Sequence, residues 1–290
     1  MLERKKVDLA FMRFPGFCGK VLTFSYDDGL KLDEQLVAIL QKNGLKGTFN
    51  LNSGMFAESS NENNIHARMT KEECIRLFAN SENEIAIHGY RHLPLATLAS
   101  TEIVYETISD KATLENIFGC VIRGMAYSNG SYNEAAVEVL KKCGIRYART
   151  VEDTGNFDLP EDWMKMHPTC HHNSPRLMEI AKQFAELNYE EEWTWSWFSK
   201  TPKMFCVWGH SSEFGRDQNW NVIEEFAEYL GNRKDIWYAT IGEICEYTQA
   251  YKALQFSADG TLVYNPSAID IYMSRFGKKY IVHSGETVRF

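Results

Sequence analysis

Five side chains have the types and spacings from which a metal-assisted hydrolytic centre can be built: Asp27, Asp28, His88, His92 and His210. The first two close the stretch VLTFSYDDGL, residues 21–30, in which apolar and β-branched residues run into adjacent carboxylates and a glycine. A short buried strand that ends in charge is unusual as a pure packing element. The same residues also suit an ordinary strand-to-helix turn, so the pair decides nothing alone. His88 and His92 frame HGYRH. Gly89 and Pro94 oppose a long helix there, so a tight turn must aim both rings at one point. Two partly exposed histidines, one satisfying a turn carbonyl, is the plain alternative. Set beside Asp28, however, two imidazoles and one carboxylate, with a fourth position for water, form a usual catalytic zinc set. A divalent ion would offset the repulsion between the two aspartates if one ligated it, leaving the other as a base. Such an ion lowers the pKa of bound water towards about 7. His210, with an unperturbed pKa near 6.5, could protonate a leaving group.

Short apolar strands must position these groups. The pattern predicts strands over 21–24, 46–51, 84–87, 121–125, 145–148, 204–208 and 236–239. Between them it predicts helices over 32–41, 101–118, 133–142, 175–187, 221–230 and 241–251. Thr70 with Glu73 reads as a capping box opening a further helix. This β-then-α order implies an α/β fold with a mostly parallel sheet, either open and doubly wound or a barrel. Both forms place chemistry at the carboxyl ends of strands, and Asp27, Asp28, His88 and His210 each follow one. Residues 1–19 read as an irregular lead-in, 52–68 as a polar surface loop and 151–174 as irregular. The tail, 253–290, reads as a small β-rich appendage with a hairpin turning on Asp259-Gly260. The domain expectation is therefore a lead-in over 1–19, a main unit over 20–252 and an extension over 253–290.

With 290 residues, 44% apolar content and 13% aromatic content, the chain can bury a large core. A formal charge of −8 disfavours non-specific binding to nucleic acid or an anionic membrane. The seven cysteines lack CxxC spacing, which argues against a disulfide framework; Cys206 and Cys245 read as buried thiols. The N-terminus lacks the apolar run of a signal peptide and no stretch approaches a membrane span, so a soluble cytoplasmic protein is expected. The β tail is a candidate subunit contact in a homo-oligomer.

TFSYDDG (23–29) resembles the first motif of the NodB-type polysaccharide deacetylases, carbohydrate esterase family 4, usually written TFDDG. HGYRH (88–92) is similar to that family's H-[ST]-x-x-H, YSNGSYN (127–133) to its third motif, and WGHSSEF (208–214) to a variant of its last. The resemblance implies a distorted (β/α) barrel of about seven parallel strands. It implies Asp27 as general base, Asp28, His88 and His92 as ligands of a divalent metal, most often Zn2+ and sometimes Co2+, and His210 as general acid. It also places Tyr127 and Asn129 at the substrate and oxyanion, where a backbone N–H can serve whatever the side chain. The implied activity is removal of acetyl groups from an N-acetylated sugar or oligosaccharide. Two alternatives stay open: hydrolysis of another small amide, a ring ureide or an O-acetyl ester, and a catalytically silent carbohydrate-binding protein.

The chain departs from the family's pattern at three points. Ala126 stands where the third motif often has an arginine that pairs with the base, which makes Arg149 a candidate substitute. Ser128-Asn129 replaces a proline-aromatic pair. The aspartate that orients the general acid is matched only loosely by Asp162, and Glu213 competes for that role. His171 and His172 are candidates for a substrate gate, with a second metal site or plain surface histidines as alternatives. Trp193, Trp195 and Trp197 alternate as a sugar-stacking strand face would, although core filling is the commoner outcome for such aromatics.

Overall fold

The computed structural model describes residues 10–61, 64–187, 201–275 and 278–290. The main sheet is parallel throughout. Its strands are β2 (Lys20–Asp27), β3 (Thr48–Leu51), β4 (Glu84–Ile87), β5 (Gly124–Ala126), β6 (Tyr147–Arg149), β7 (Cys170–His171) and β8 (Lys203–Gly209), in the order β6-β5-β4-β3-β2-β8-β7. An eighth strand, β9 (Ile236–Tyr238), pairs with residues 20–22 of β2, while β3 pairs with residues 25–27 further along it. One strand thus carries two neighbours on one side in succession, and the sheet curls into a half-barrel.

Helices α1 (Asp33–Lys42), α2 (Lys71–Phe78), α3 (Ser100–Phe118), α4 (Glu134–Lys142), α5 (Leu177–Glu186), α6 (Ser211–Asp217), α7 (Trp220–Leu230) and α8 (Ile241–Lys252) follow the strands. The expected capping box at Thr70 and Glu73 opens α2. Every residue of β2 is buried, as a parallel strand covered on both faces requires. Its alternation divides the two faces. Leu22, Phe24 and Tyr26 pack in a cluster with Leu36, Leu40, Phe226 and Leu230 of the covering helices. Thr23, Ser25 and Asp27 point the other way, so the polar end of the strand opens onto the concave side.

Residues 11–17 correct the expectation of an irregular lead-in. Phe11–Arg13 is a strand, β1, antiparallel to β12 (Ile271–Arg275), which pairs in turn with β13 (Lys278–Val282). Pairing of all three residues with β12, and burial of Met12 and Arg13, hold the strand; Pro15-Gly16 lies just beyond its end. The predicted hairpin over Asp259-Gly260 is present as β10 (Gln255–Phe256) and β11 (Leu262–Tyr264), with β14 (Thr287–Arg289) on its other side. Met12, Val263, Ile271, Met273 and Val282 join Val21, Met204 and Ile244 in a second core cluster. Two further segments were not anticipated. Within 151–174, Cys170–His171 adds to the parallel sheet beside β8, and a helix follows His210 directly. The alternating tryptophans at 193, 195 and 197 lie outside the described residues. All seven cysteines are unpaired, with Cys206 and Cys245 buried. No described helix is long and apolar enough to cross a membrane.

Candidate active site

The carboxyl ends of β2, β4 and β8 meet at one point on the concave side. Oδ1 of Asp28 lies 3.7 Å from Nε2 of His92 and 4.0 Å from Nε2 of His88. The three donor atoms stand within 4.8 Å of one another. Zinc bonds of about 2.0–2.2 Å in a tetrahedron separate ligand atoms by about 3.3–3.6 Å, so the two separations from Asp28 exceed a closed shell by no more than a few tenths of an ångström. Nδ1 of His88 is 2.8 Å from the Ala126 carbonyl oxygen. That acceptor fixes the proton on Nδ1 and leaves the Nε2 lone pair facing the cluster, the arrangement of a metal-ligating histidine. Burial lowers the pKa of His88 and keeps the ring neutral. Asp28 and His92 both adopt positive φ, 84° and 57°, a costly backbone state that surrounding contacts must hold. These residues fit a divalent cation.

Asp27 sits beside this cluster without joining it. Its Oδ2 is 3.9 Å from Nε2 of His88 and 4.0 Å from Nε2 of His210. Arg149, fully buried at the end of β6, reaches across the concave side, and one Nη2 contacts both carboxylate oxygens of Asp27. Arg149 also donates through Nε to Ser25 Oγ (3.1 Å) and lies under the Trp208 ring. Asn50, paired with Asp27 in the β2–β3 register, donates to Asp27 Oδ1 at 2.9 Å. Burial alone would raise the Asp27 pKa, but the charges of Arg149, His88 and His210 outweigh it and lower it to about 2. For His210, burial acts downward, yet Glu213, Asp27 and Asp28 together raise it to about 9.

A second layer holds the ligand turn. Asp110 and Glu106, one turn apart on α3, are wholly buried. Asp110 accepts the N–H of His88 (3.1 Å) and both the N–H and hydroxyl of Ser53. Glu106 accepts the N–H of Arg91 at 2.7 Å and its Nε at 2.6 Å. Asn52 donates to the carbonyls of His88 and Gly89, Ser128 Oγ donates to the carbonyl of His88, and Arg68 links Asn52 to Asp28 Oδ1. Sequence reasoning missed Asn50, Asn52, Arg68, Glu106 and Asp110. A polar residue in the buried run TFNL was the available signal for Asn50, whereas Arg68 gives none.

Other expected residues fall elsewhere. The ring of Tyr127 is buried and its hydroxyl donates to the Met164 carbonyl, so any substrate contact there is left to the backbone. Asn129 is exposed with φ 55° in the adjoining turn. Asp162 accepts the Met164 N–H to cap the turn at 163–165, and Glu213 is the carboxylate beside His210, at 3.8 Å from Nδ1. The gate reading of His172 is corrected: the ring is fully buried, stacked between Tyr26 and Phe214, and cannot swing over a site. His171 is partly exposed and lies against Glu213, as does His172.

Residues 16–148 match the sequence model of the family described as polysaccharide deacetylase. Over that segment, a little under half of the chain, the sequence is similar to the polysaccharide deacetylases. Among solved structures, a predicted polysaccharide deacetylase from Mycobacterium smegmatis is 18% identical with a TM-score of 0.59, over 84% of this chain and 95% of that one. At this identity the likeness establishes the fold. The Streptococcus pyogenes deacetylase PplD, solved with acetate, is 18% identical with a TM-score of 0.40, over 44% of this chain and 55% of that one. A family 4 pseudoenzyme from Bacillus anthracis is 15% identical with a TM-score of 0.47, over 78% and 65%. This chain thus spans only about half the length of the streptococcal protein. Comparison with curated protein sequences finds no match. The family segment ends at residue 148, so it contains Asp27, Asp28, His88 and His92 and stops short of Arg149 and His210.

Proposed function

We propose that this chain is a metal-dependent hydrolase that removes acetyl groups from an N-acetylated sugar or oligosaccharide, with residues 20–252 as its catalytic unit. The convergence of Asp28, His88 and His92 beside a separate carboxylate, Asp27, is the observation that carries this reading. We assign those three residues as ligands of a divalent ion, and zinc as its identity, because two imidazoles and one carboxylate suit it. When bound, the ion supplies Lewis acidity to water and to the acyl carbonyl.

The protein's own groups do the remainder. Asp27, held ionised by Arg149, accepts a proton from the attacking water. His210 approaches from the other side, its Nε2 4.0 Å from Asp27 Oδ2 and 3.9 Å from Asp28 Oδ2, and delivers a proton to the departing nitrogen. A backbone N–H near Asn129 is the proposed donor to the oxyanion. Acetate release from a panel of N-acetylated and O-acetylated sugars, alongside metal analysis, tests the reading. Asp27→Asn should retain its ion and lose kcat by on the order of 10²–10⁴-fold. Activity close to wild type in that variant would remove Asp27 as the base.

A further inference from the structure

Glu213 lies at the centre of three histidines. Its Oε2 is 3.1 Å from Nε2 of His171 and 3.1 Å from Nε2 of His172, and its Oε1 is 3.8 Å from Nδ1 of His210. It also accepts the backbone N–H of His210 at 3.3 Å, closing the first turn of α6 from the third helical position. The short spacing from His210 therefore holds this carboxylate alongside the ring whose chemistry it would serve.

The two other histidines are themselves fixed. His172 is wholly buried, its ring stacked 4.1 Å from Phe214 and 5.6 Å from Tyr26 between centroids. Gly209, immediately before His210, leaves room for this pair. A Cβ there would stand 2.2 Å from Nδ1 of His172 and 3.2 Å from Nε2 of His171. The main-chain N–H of His171 donates to Asp153, which also accepts Nε1 of Trp208 at 2.7 Å. Asn173 donates its N–H to Nδ1 of His171 at 3.1 Å. An imidazole nitrogen that accepts a hydrogen bond carries no proton, so the proton of neutral His171 is on Nε2, facing Glu213.

We infer that Glu213, flanked by His171 and His172, is the positioning residue that orients His210. This rests on the reading of His210 as proton donor. An imidazole on a flexible stem presents either nitrogen. An anion beside Nδ1 draws that proton and leaves Nε2 directed at Asp27 and Asp28, the side on which a leaving group would depart. His171, His210 and Glu213 also stand within 4.8 Å, close enough to surround a cation. The proton on Nε2 of His171 favours an ion-paired cluster over a second metal site.

The discriminating measurement compares leaving groups. An amine must be protonated as it departs, whereas p-nitrophenolate leaves unaided. Glu213→Gln keeps the volume and the backbone cap. It should lower kcat on N-acetylglucosamine oligomers by on the order of 10²-fold, while p-nitrophenyl acetate turnover falls less than about threefold and metal content is unchanged. His172→Phe, which preserves the ring stack, should show the same selectivity at smaller amplitude. Combining Glu213→Gln with His210→Asn should add little to His210→Asn alone. Equal losses on both substrates, no loss on either, or a second ion that disappears with Glu213→Gln would overturn the inference. If His210→Asn itself fails to discriminate between the substrates, the assignment of His210 as acid falls, and the inference falls with it.

Discussion

Arg149 contacts both carboxylate oxygens of Asp27 from four strands away in the sheet, through a guanidinium that no solvent reaches. Among the described residues this ion pair spans the concave side of the half-barrel. Asp27, at the end of β2, thereby has a buried cationic partner brought in from β6.

Arg149→Lys should lower kcat at least about tenfold without changing metal content, because an ammonium that reached Asp27 could not also donate to Ser25 Oγ and the Thr150 carbonyl, the contacts that hold the guanidinium in place. Burial pushes Asp27 up and Arg149 pushes it down to about 2, so weakening the pair raises its pKa. The acid limb of the pH–rate profile should move to higher pH. An unshifted limb in an active variant would show that Asp27 does not govern it.

Asp110 should influence metal affinity without touching the ion. It accepts the N–H of His88 and fixes Ser53 beneath the ligand turn. Asp110→Asn is expected to weaken binding by about 10–100-fold, the usual effect of removing a group that orients a metal ligand. Competition titration against a chelator reads this directly. Equal affinity in a folded variant would make Asp110 a packing residue only.

Asp33 gives a pH dependence of stability with a definite sign. Burial raises its pKa from 3.8 to about 7 against the pull of Ser211 and the Leu30 N–H. Between these values the folded state holds the proton that the unfolded chain has released. Its stabilising contribution is therefore complete below about pH 4 and is lost as pH rises through about 7. The full effect is about 4 kcal/mol. Asp33→Asn should flatten the fall in Tm across that window, and a parallel curve would exclude Asp33 as its source.

Removing residues 253–290 should abolish cooperative folding. Val263, Ile271, Met273 and Val282 are all fully buried against the main unit's second core cluster. At about 1.5–3 kcal/mol each, their loss approaches the whole stability of an ordinary domain. A truncated chain that melts sharply near the full-length Tm would contradict this.

The strand-helix alternation and the residues at strand ends were legible because period and burial are local properties. Asp28 and His88 were legible as candidates for the same reason, since each follows an apolar run, while His92 was legible only by its spacing from His88. Arg149 was visible only as a candidate because its partner lies 122 residues away in sequence. Asn52, Arg68 and Asp110 were hidden by their settings in a polar loop and within a helix. Only the folded neighbourhood distinguishes them from surface groups. The small strands Phe11–Arg13 and Cys170–His171 were missed because they are too short to show a period and exist through pairing with distant partners.

Asp28 and His92 hold a backbone shape that L-amino acids avoid, at φ of 84° and 57°. The turns that carry that shape are braced by hydrogen bonds that Asn52 and Arg68 donate to the carbonyls of His88 and Asp28 and by the Arg91 N–H, which Glu106 of α3 accepts, none of which requires an ion. A turn braced by the protein's own groups would keep its shape whether or not an ion is loaded, so loading need not be coupled to folding. A purified preparation stripped with a chelator should therefore keep its fold and accept zinc again on an unchanged scaffold.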